Sequence, residues 1–210
     1  MRAIYYVDGL NLYKRCLEGT GLKWLDLKRL FESVLPLCVP IVGIRYFTAL
    51  VDDWDNEGTR ERQRVYLAAL RSIPGLTIHR GTMRTDPEWM ASVINGSRGP
   101  EVEVWHTREK GSDVLLSAWL FRDLARIPDR FDAAVLVTHD SDQAPTIRIA
   151  REISDKQIGV LDPESVRAKH LHECASFYRN LKLSSVRRAQ LPEVITLGTG
   201  RTVSRPTKWA

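Results

Sequence analysis

Apolar and β-branched runs alternate along the chain with segments of helical period, the pattern of a largely parallel sheet wrapped by helices. Ala3 to Val7 reads as the first strand. A helix is expected near 26–35, where Leu27, Leu30, Phe31, Val34 and Leu35 recur at helical spacing behind Asp26, a residue suited to an N-cap. Ile41 to Phe47 forms a second strand, followed by a polar loop over 52–58, a helix over 59–72 and a short strand from Leu76 to Arg80. The stretch 82–100 contains Pro87, Asn95, Gly96, Gly99 and Pro100 and reads as an irregular insertion, after which Glu101 to Thr107 alternates like an edge strand. The period turns helical from Ser112, a candidate N-cap, to Ala125. Ala133 to Thr138 is the cleanest buried strand; a helix over 143–153, a strand from Gln157 to Leu161 and a long helix from Pro163 to Leu183 complete the alternation. The expected architecture is α/β, one domain over 1–183 with an extension over 184–210.

Composition narrows the classes. With 210 residues and 43% hydrophobic content the chain can bury a proper core. The apolar run after Arg2 meets Asp8 before an export signal could form. The later run from Val34 to Ile44 holds Pro36 and Pro40 and is shorter than the ~20 residues of a membrane helix. No membrane partner is expected. Cys16, Cys38 and Cys174 form no Cys-x-x-Cys pair, which suits a reducing cytoplasm. The net charge is +5, but 184–210 holds five basic residues against Glu193 alone, which leaves the rest nearly neutral. Affinity for phosphates would therefore come from local clusters or the tail.

The candidate chemistry is acidic. Asp8 follows the first strand, Asp140 and Asp142 follow the Ala133–Thr138 strand, and Asp113 falls in the first turn of the helix opened by Ser112. Ligands of open parallel sheets bind beyond the carboxyl ends of the strands where the strand order reverses. If the two strands are neighbours, several carboxylates converge at one rim and repel unless a cation lies between them. Oxygen-only ligation of that kind suits Mg²⁺ or Mn²⁺, which can generate hydroxide for attack on a phosphate. Each aspartate is also a common cap or turn former, Asp142 most of all because Pro145 lies just beyond it.

Three segments, Tyr6-Val7-Asp8-Gly9-Leu10-Asn11-Leu12, Glu109-Lys110-Gly111-Ser112-Asp113-Val114 and Val137-Thr138-His139-Asp140-Ser141-Asp142, resemble in order and spacing the NYN (DUF88, LabA-like) branch of the PIN-like ribonucleases. The resemblance runs from residue 1 to about 163. It implies a PIN-like three-layer sandwich with a mainly parallel central sheet and metal-dependent endonucleolytic hydrolysis of RNA, single-stranded or in loops. It implies Asp8, Asp113 and Asp140 as catalytic metal ligands, Asp142 completing the cluster, and Mg²⁺ or Mn²⁺ as cofactor. Asn11, Lys110 and Thr138 become substrate-binding or supporting residues, and a homodimer is compatible with it. Trp119 stands where many members carry a further acid, with Asp123 a doubtful substitute, so an RNA-binding module with weak or lost catalysis is the alternative. A small phosphorylated substrate is a third reading, although no Gly-rich phosphate loop is present.

Weaker signals remain. Arg60, Arg62, Arg64 and Arg71 concentrate charge on one helix, Trp54, Trp89 and Trp105 could stack on bases or pack locally, and His170, His172 and Cys174 lack a fourth zinc ligand. His139 beside Asp140 has either a structural or a proton-transfer role.

Overall fold

The computed structural model describes residues 1–34, 39–51 and 57–209. Leu35, Pro36, Cys38, Trp54 and most of the polar loop before Gly58 lie outside the described residues. In chain order the first half comprises β1 (Ala3–Asp8), α1 (Gly9–Leu12), a π-helical turn (Tyr13–Leu17), α2 (Leu27–Val34), β2 (Ile41–Thr48), α3 (Thr59–Leu70), β3 (Leu76–Arg80), β4 (Thr82–Ile94) and β5 (Ser97–Lys110). The second half comprises α4 (Ser112–Arg126), β6 (Ala133–Val137), α5 (Ala144–Ile153), β7 (Gln157–Asp162), α6 (Lys169–Cys174), β8 (Phe177–Asn180), α7 (Leu183–Arg188), β9 (Val194–Thr196) and β10 (Thr202–Ser204).

Six strands form one sheet in the order β3-β2-β1-β6-β7-β8, and all its pairings are parallel. The period of two along β1 sorts its side chains into two cores. Ala3, Tyr5 and Val7 pack with residues of α2, α3 and α7, whereas Ile4 and Tyr6 pack with residues of α4, α5 and α6. A strand buried on both faces reads as a continuous apolar run, which is why β1 and β6 were legible. The result is the expected three-layer α/β sandwich with a parallel central sheet. Asp26 caps α2, its carboxylate accepting from the Arg29 N–H at 3.0 Å.

Three expectations are corrected. The stretch 82–100 is no irregular insertion: β4 and β5 form one long antiparallel hairpin, turned at Asn95 (φ 51) and Gly96 (φ 79). Both residues occupy the positive φ that the tight turn demands. Pro87 lies within β4, which is tolerated because β4 and β5 form a two-stranded ribbon whose outward backbone positions make no ladder bond. The long helix expected over Pro163 to Leu183 is instead α6, β8 and α7. Phe177 to Asn180 pair with Gly159 to Asp162, because the open edge of β7 offers a row of backbone partners that outweighs local helical period. Ser112 is the first residue of α4, not its cap; Gly111, at φ 93, precedes it, and the Ser112 hydroxyl donates to Glu109.

The basic segment after residue 183 is bound into the body. Val186, Ala189 and Leu191 are buried in the first core, the Trp24 indole donates to the Pro192 carbonyl at 2.7 Å, and Trp209 packs against Tyr66. No helix among the described residues is long and apolar enough to cross a membrane.

Gly9 sets the approach of β2 to the start of α1. A Cβ at this position would run into the Tyr46 ring and lie 2.7 Å from the Phe47 carbonyl oxygen, a backbone atom that cannot rotate away. Gly9→Ala is expected to lower unfolding stability by ~1–3 kcal/mol in a urea titration; an unchanged midpoint would mean that β2 yields freely.

Candidate active site

The strand order reverses between β1 and β6, and the segments leaving them diverge. The chain after β1 packs into the first core through Leu12 and Leu17, and α5 packs into the second through Ala144 and Ile147. The crevice between them opens at the carboxyl ends of both strands. A cleft of about 390 Å³ lies there, lined by Asp8, Leu10, Asn11, Lys14, Arg15, Glu109, Asp113 and Asp140. A wider hollow of about 500 Å³ borders α2, Ile73 and Leu191, but none of the charged residues lining it is buried.

Small polar residues stitch this rim together. Asp8 ends β1, is 6% exposed, and accepts from the Asn11 N–H at 3.0 Å, which starts α1. The Asn11 side-chain oxygen in turn accepts from the His139 N–H at 2.9 Å, tying α1 to the loop after β6. The Thr138 hydroxyl donates to Asp8 at 3.3 Å and accepts from the Asp140 N–H at 3.0 Å, so one buried side chain holds both carboxylate-bearing segments.

Burial pushes the Asp8 carboxyl up to about 7; the Asn11 N–H opposes this, the Asp113 and Glu109 charges add to it, and the Thr138 hydroxyl opposes it weakly. Burial likewise raises Glu109, against its bond from Ser112, and raises Asp113, with Asp140 and Asp142 contributing. A buried carboxyl poised at about 7, as Asp8 is, is fitted to proton transfer near neutrality.

Of the expected site residues, Asp8, Asn11, Asp113 and Asp140 line the cleft and Thr138 supports it from beneath. Asp142 does not line it: it sits exposed on the following turn, its N–H donating to Asp140 at 3.0 Å. Lys110 ends β5, is exposed and is not among the lining residues; its neighbour Glu109 is. Trp119 packs against the Arg122 guanidinium, 4.2 Å from its ring centre, and against the tilted His79 ring at 4.0 Å. Asp123 is fully buried on Tyr6 (3.0 Å) and Arg45 (2.5 Å) and replaces no cleft acid.

Glu109, Lys14 and Arg15 carried no assigned role in the sequence, nor did Asp162. Asp162 is fully buried at the end of β7 and lies 2.9 Å from His139 Nδ1 through either oxygen. It also accepts from the Tyr178 hydroxyl and from the Glu164 N–H at 2.8 Å. His139 is thus clamped beside the rim by a partner 23 residues away in the chain. Only the parallel register of β6 and β7 reveals it.

No family model matches the chain. Aligned over 250 positions, it is 30% identical to 6-hydroxy-3-succinoylpyridine 3-monooxygenase HspA of Pseudomonas putida, the match spanning 100% of this chain and 75% of that protein. The chain belongs to the family of that monooxygenase. Its fold is also that of VPA0982 from Vibrio parahaemolyticus, a crystal structure of a protein of unknown function, with a TM-score of 0.53 and 15% identity over 86% of this chain and 93% of that one.

The monooxygenase relative overturns the expected metal-dependent ribonuclease and its RNA-binding alternative: it points to an oxidoreductase, not a hydrolase. The Mg²⁺ or Mn²⁺ expectation on Asp8, Asp113, Asp140 and Asp142 is corrected with it. Among the described residues no three His, Cys, Asp or Glu side chains are grouped to hold a metal ion, His170, His172 and Cys174 included.

The raised Asp8 carboxyl has a signed consequence for stability. The folded state holds this proton more tightly than the unfolded chain, so its contribution is fully present below about pH 4 and is lost as pH rises through about 7. At pH 8 the buried charge opposes folding by at most ~4 kcal/mol, three pH units at ~1.4 kcal/mol each. Asp8→Asn is expected to be more stable than wild type at pH 8 and equal to it at pH 4 in urea unfolding. A difference that does not change with pH would contradict the raised value.

Proposed function

We propose that the chain is an oxidoreductase of the monooxygenase class acting on a small hydroxylated aromatic acid of the kind named in its relative, 6-hydroxy-3-succinoylpyridine. In such a reaction one atom of O₂ enters the substrate and the other leaves as water, using two electrons from a reductant and two protons. The carrying observation is Asp8, a buried carboxylate poised at about 7 in a cleft at the sheet's reversal point. A base of that strength can take the proton of a ring hydroxyl at physiological pH. The resulting oxyanion pushes electron density to the ring position opposite it; position 3 lies opposite the 6-hydroxyl in the named compound and carries the succinoyl group, so the C3–acyl bond breaks as the C3–O bond forms, and water captures the departing acyl group as succinic acid. Burial keeps Asp8 basic and the Asp113 and Glu109 charges add to it, while Asn11 and Thr138 hold its two oxygens in place.

The relative points to a redox group, of which flavins are the common organic kind, in place of a divalent ion. The acidic wall of Asp8, Glu109, Asp113 and Asp140 would repel a flavin's phosphate and does not fit it, so this wall is assigned to the ring end of the aromatic substrate. The resemblance of the Asp8, Asp113 and Asp140 motifs to the NYN branch of PIN-like proteins supports a related scaffold whose acidic rim serves proton transfer in this chain. The free thiols of Cys16 and Cys174 support a reducing cytoplasm.

The test is turnover of 6-hydroxy-3-succinoylpyridine under ¹⁸O₂ with reduced nicotinamide or reduced flavin supplied, read by mass spectrometry. One labelled oxygen per product is expected, and no incorporation with either reductant would refute the assignment. In wild type kcat should rise with pH along a limb near 7. Asp8→Asn should lose that limb and fall ~10²–10⁴-fold in kcat; a variant that keeps both has removed Asp8 from the chemistry.

A further inference from the structure

The π-helical turn Tyr13–Leu17 follows α1 directly and plays no part in proton transfer as proposed above. Such turns are rare and recur at functional sites, because the extra residue per turn re-aims side chains. In an α-helix adjacent residues diverge by about 100°; in this turn Lys14 and Arg15, consecutive in the chain, both border the same cleft. They are the two cations among its lining residues, set against four carboxylates. Lys14 Nζ lies 2.8 Å from Glu18, and one guanidinium nitrogen of Arg15 lies 3.9 Å from Glu164, which leaves most of their N–H donors open to a ligand.

We propose that Lys14 and Arg15 form a carboxylate subsite, binding the terminal carboxylate of an aromatic acyl acid whose ring hydroxyl meets Asp8. This rests on the monooxygenase reading. The charge pattern of the cleft admits an anionic substrate in one direction only: the acidic wall around Asp8 repels a carboxylate, and the π-helical turn attracts it. In the compound named for the relative, the hydroxyl and the succinoyl chain leave opposite sides of the ring, and the chain ends in a carboxyl. Lys14 and Arg15 follow Asp8 by six and seven residues through α1 and the π-helical turn, at most about 9–10.5 Å of helical rise. That separation suits a ring extended by a short acyl chain. The cleft, at about 390 Å³, falls within the range of small-molecule sites.

The test uses the full chain and two probes, 6-hydroxy-3-succinoylpyridine and its methyl ester, which differ in the carboxylate charge. Titration calorimetry reads binding without turnover, and steady-state assays separate KM from kcat. Wild type should bind the acid at least ~10-fold more tightly than the ester. Arg15→Ala and Lys14→Ala should each raise KM for the acid ~10-fold with little change in kcat, leave the ester unaffected, and abolish the preference when combined, whereas Arg15→Lys should retain part of it. Both side chains are exposed, so melting temperatures near wild type are expected and verify that the variants fold. Equal affinity of wild type for acid and ester, or a double variant that still prefers the acid, overturns the subsite while leaving the monooxygenase reading intact. Loss of the acid preference in the double variant upholds the subsite even if no oxygen is incorporated, a result that would count against the reaction class alone.

Discussion

The parallel pairing of β1 with β6 is the constraint on which the site depends. Ala3 to Val7 run beside Ala133 to Val137, buried on both faces, so the two strands must end at the same height. The chain after β1 packs into one core and α5 into the other, and the sheet's carboxyl edge is left uncovered between them. Thr138 then converts this geometry into chemistry, because one hydroxyl touches both Asp8 and the backbone of Asp140. Without that register Asp8 and Asp140 would be unrelated turn residues.

Burial and charge oppose each other at this rim. Asp8 is nearly inaccessible, accepts hydrogen bonds from Asn11 and Thr138, and shares the cleft with Glu109 and Asp113. An ionised carboxylate in that setting lowers stability at neutral pH, a cost the fold absorbs through two continuous cores. The acid that the sheet does neutralise, Asp123, shows the contrasting solution: full burial with Arg45 and Tyr6 as partners, Arg45 lying also over the Trp119 ring. Paired acids of that kind stabilise structure; acids crowded beside one another hold a proton for use.

The family relationship separates scaffold from chemistry. The motifs built on Asp8, Asp113 and Asp140 carried the expectation of a PIN-like ribonuclease, yet the relative that spans the whole chain is a monooxygenase. A row of aspartates at strand ends is compatible with a metal cage and with a proton-transfer cluster alike. What distinguishes them is whether the oxygens converge within bonding distance of one point, and fold-level likeness does not report this. The ribonuclease reading followed the motifs; the correction came from a relationship along the full chain.

Local pattern by itself determined β1, β2, β6 and β7, the Asp26 cap, and the positions of Asp8 and Asp140 at strand ends. Buried strands and caps are encoded within a few residues, so period and side-chain type suffice. The hairpin of β4 and β5 was also locally encoded, by Asn95-Gly96 between alternating runs, but Pro87 and Pro100 obscured it. Tertiary structure alone decided that Phe177 to Asn180 form β8, since a four-residue strand exists only because β7 offers an edge. It alone decided that Glu109, Lys14 and Arg15 share a cleft with Asp8 and that Asp162 clamps His139. Those meetings depend on which strands are neighbours and on the phase of a π-helical turn, and neither quantity is written in any short stretch of residues.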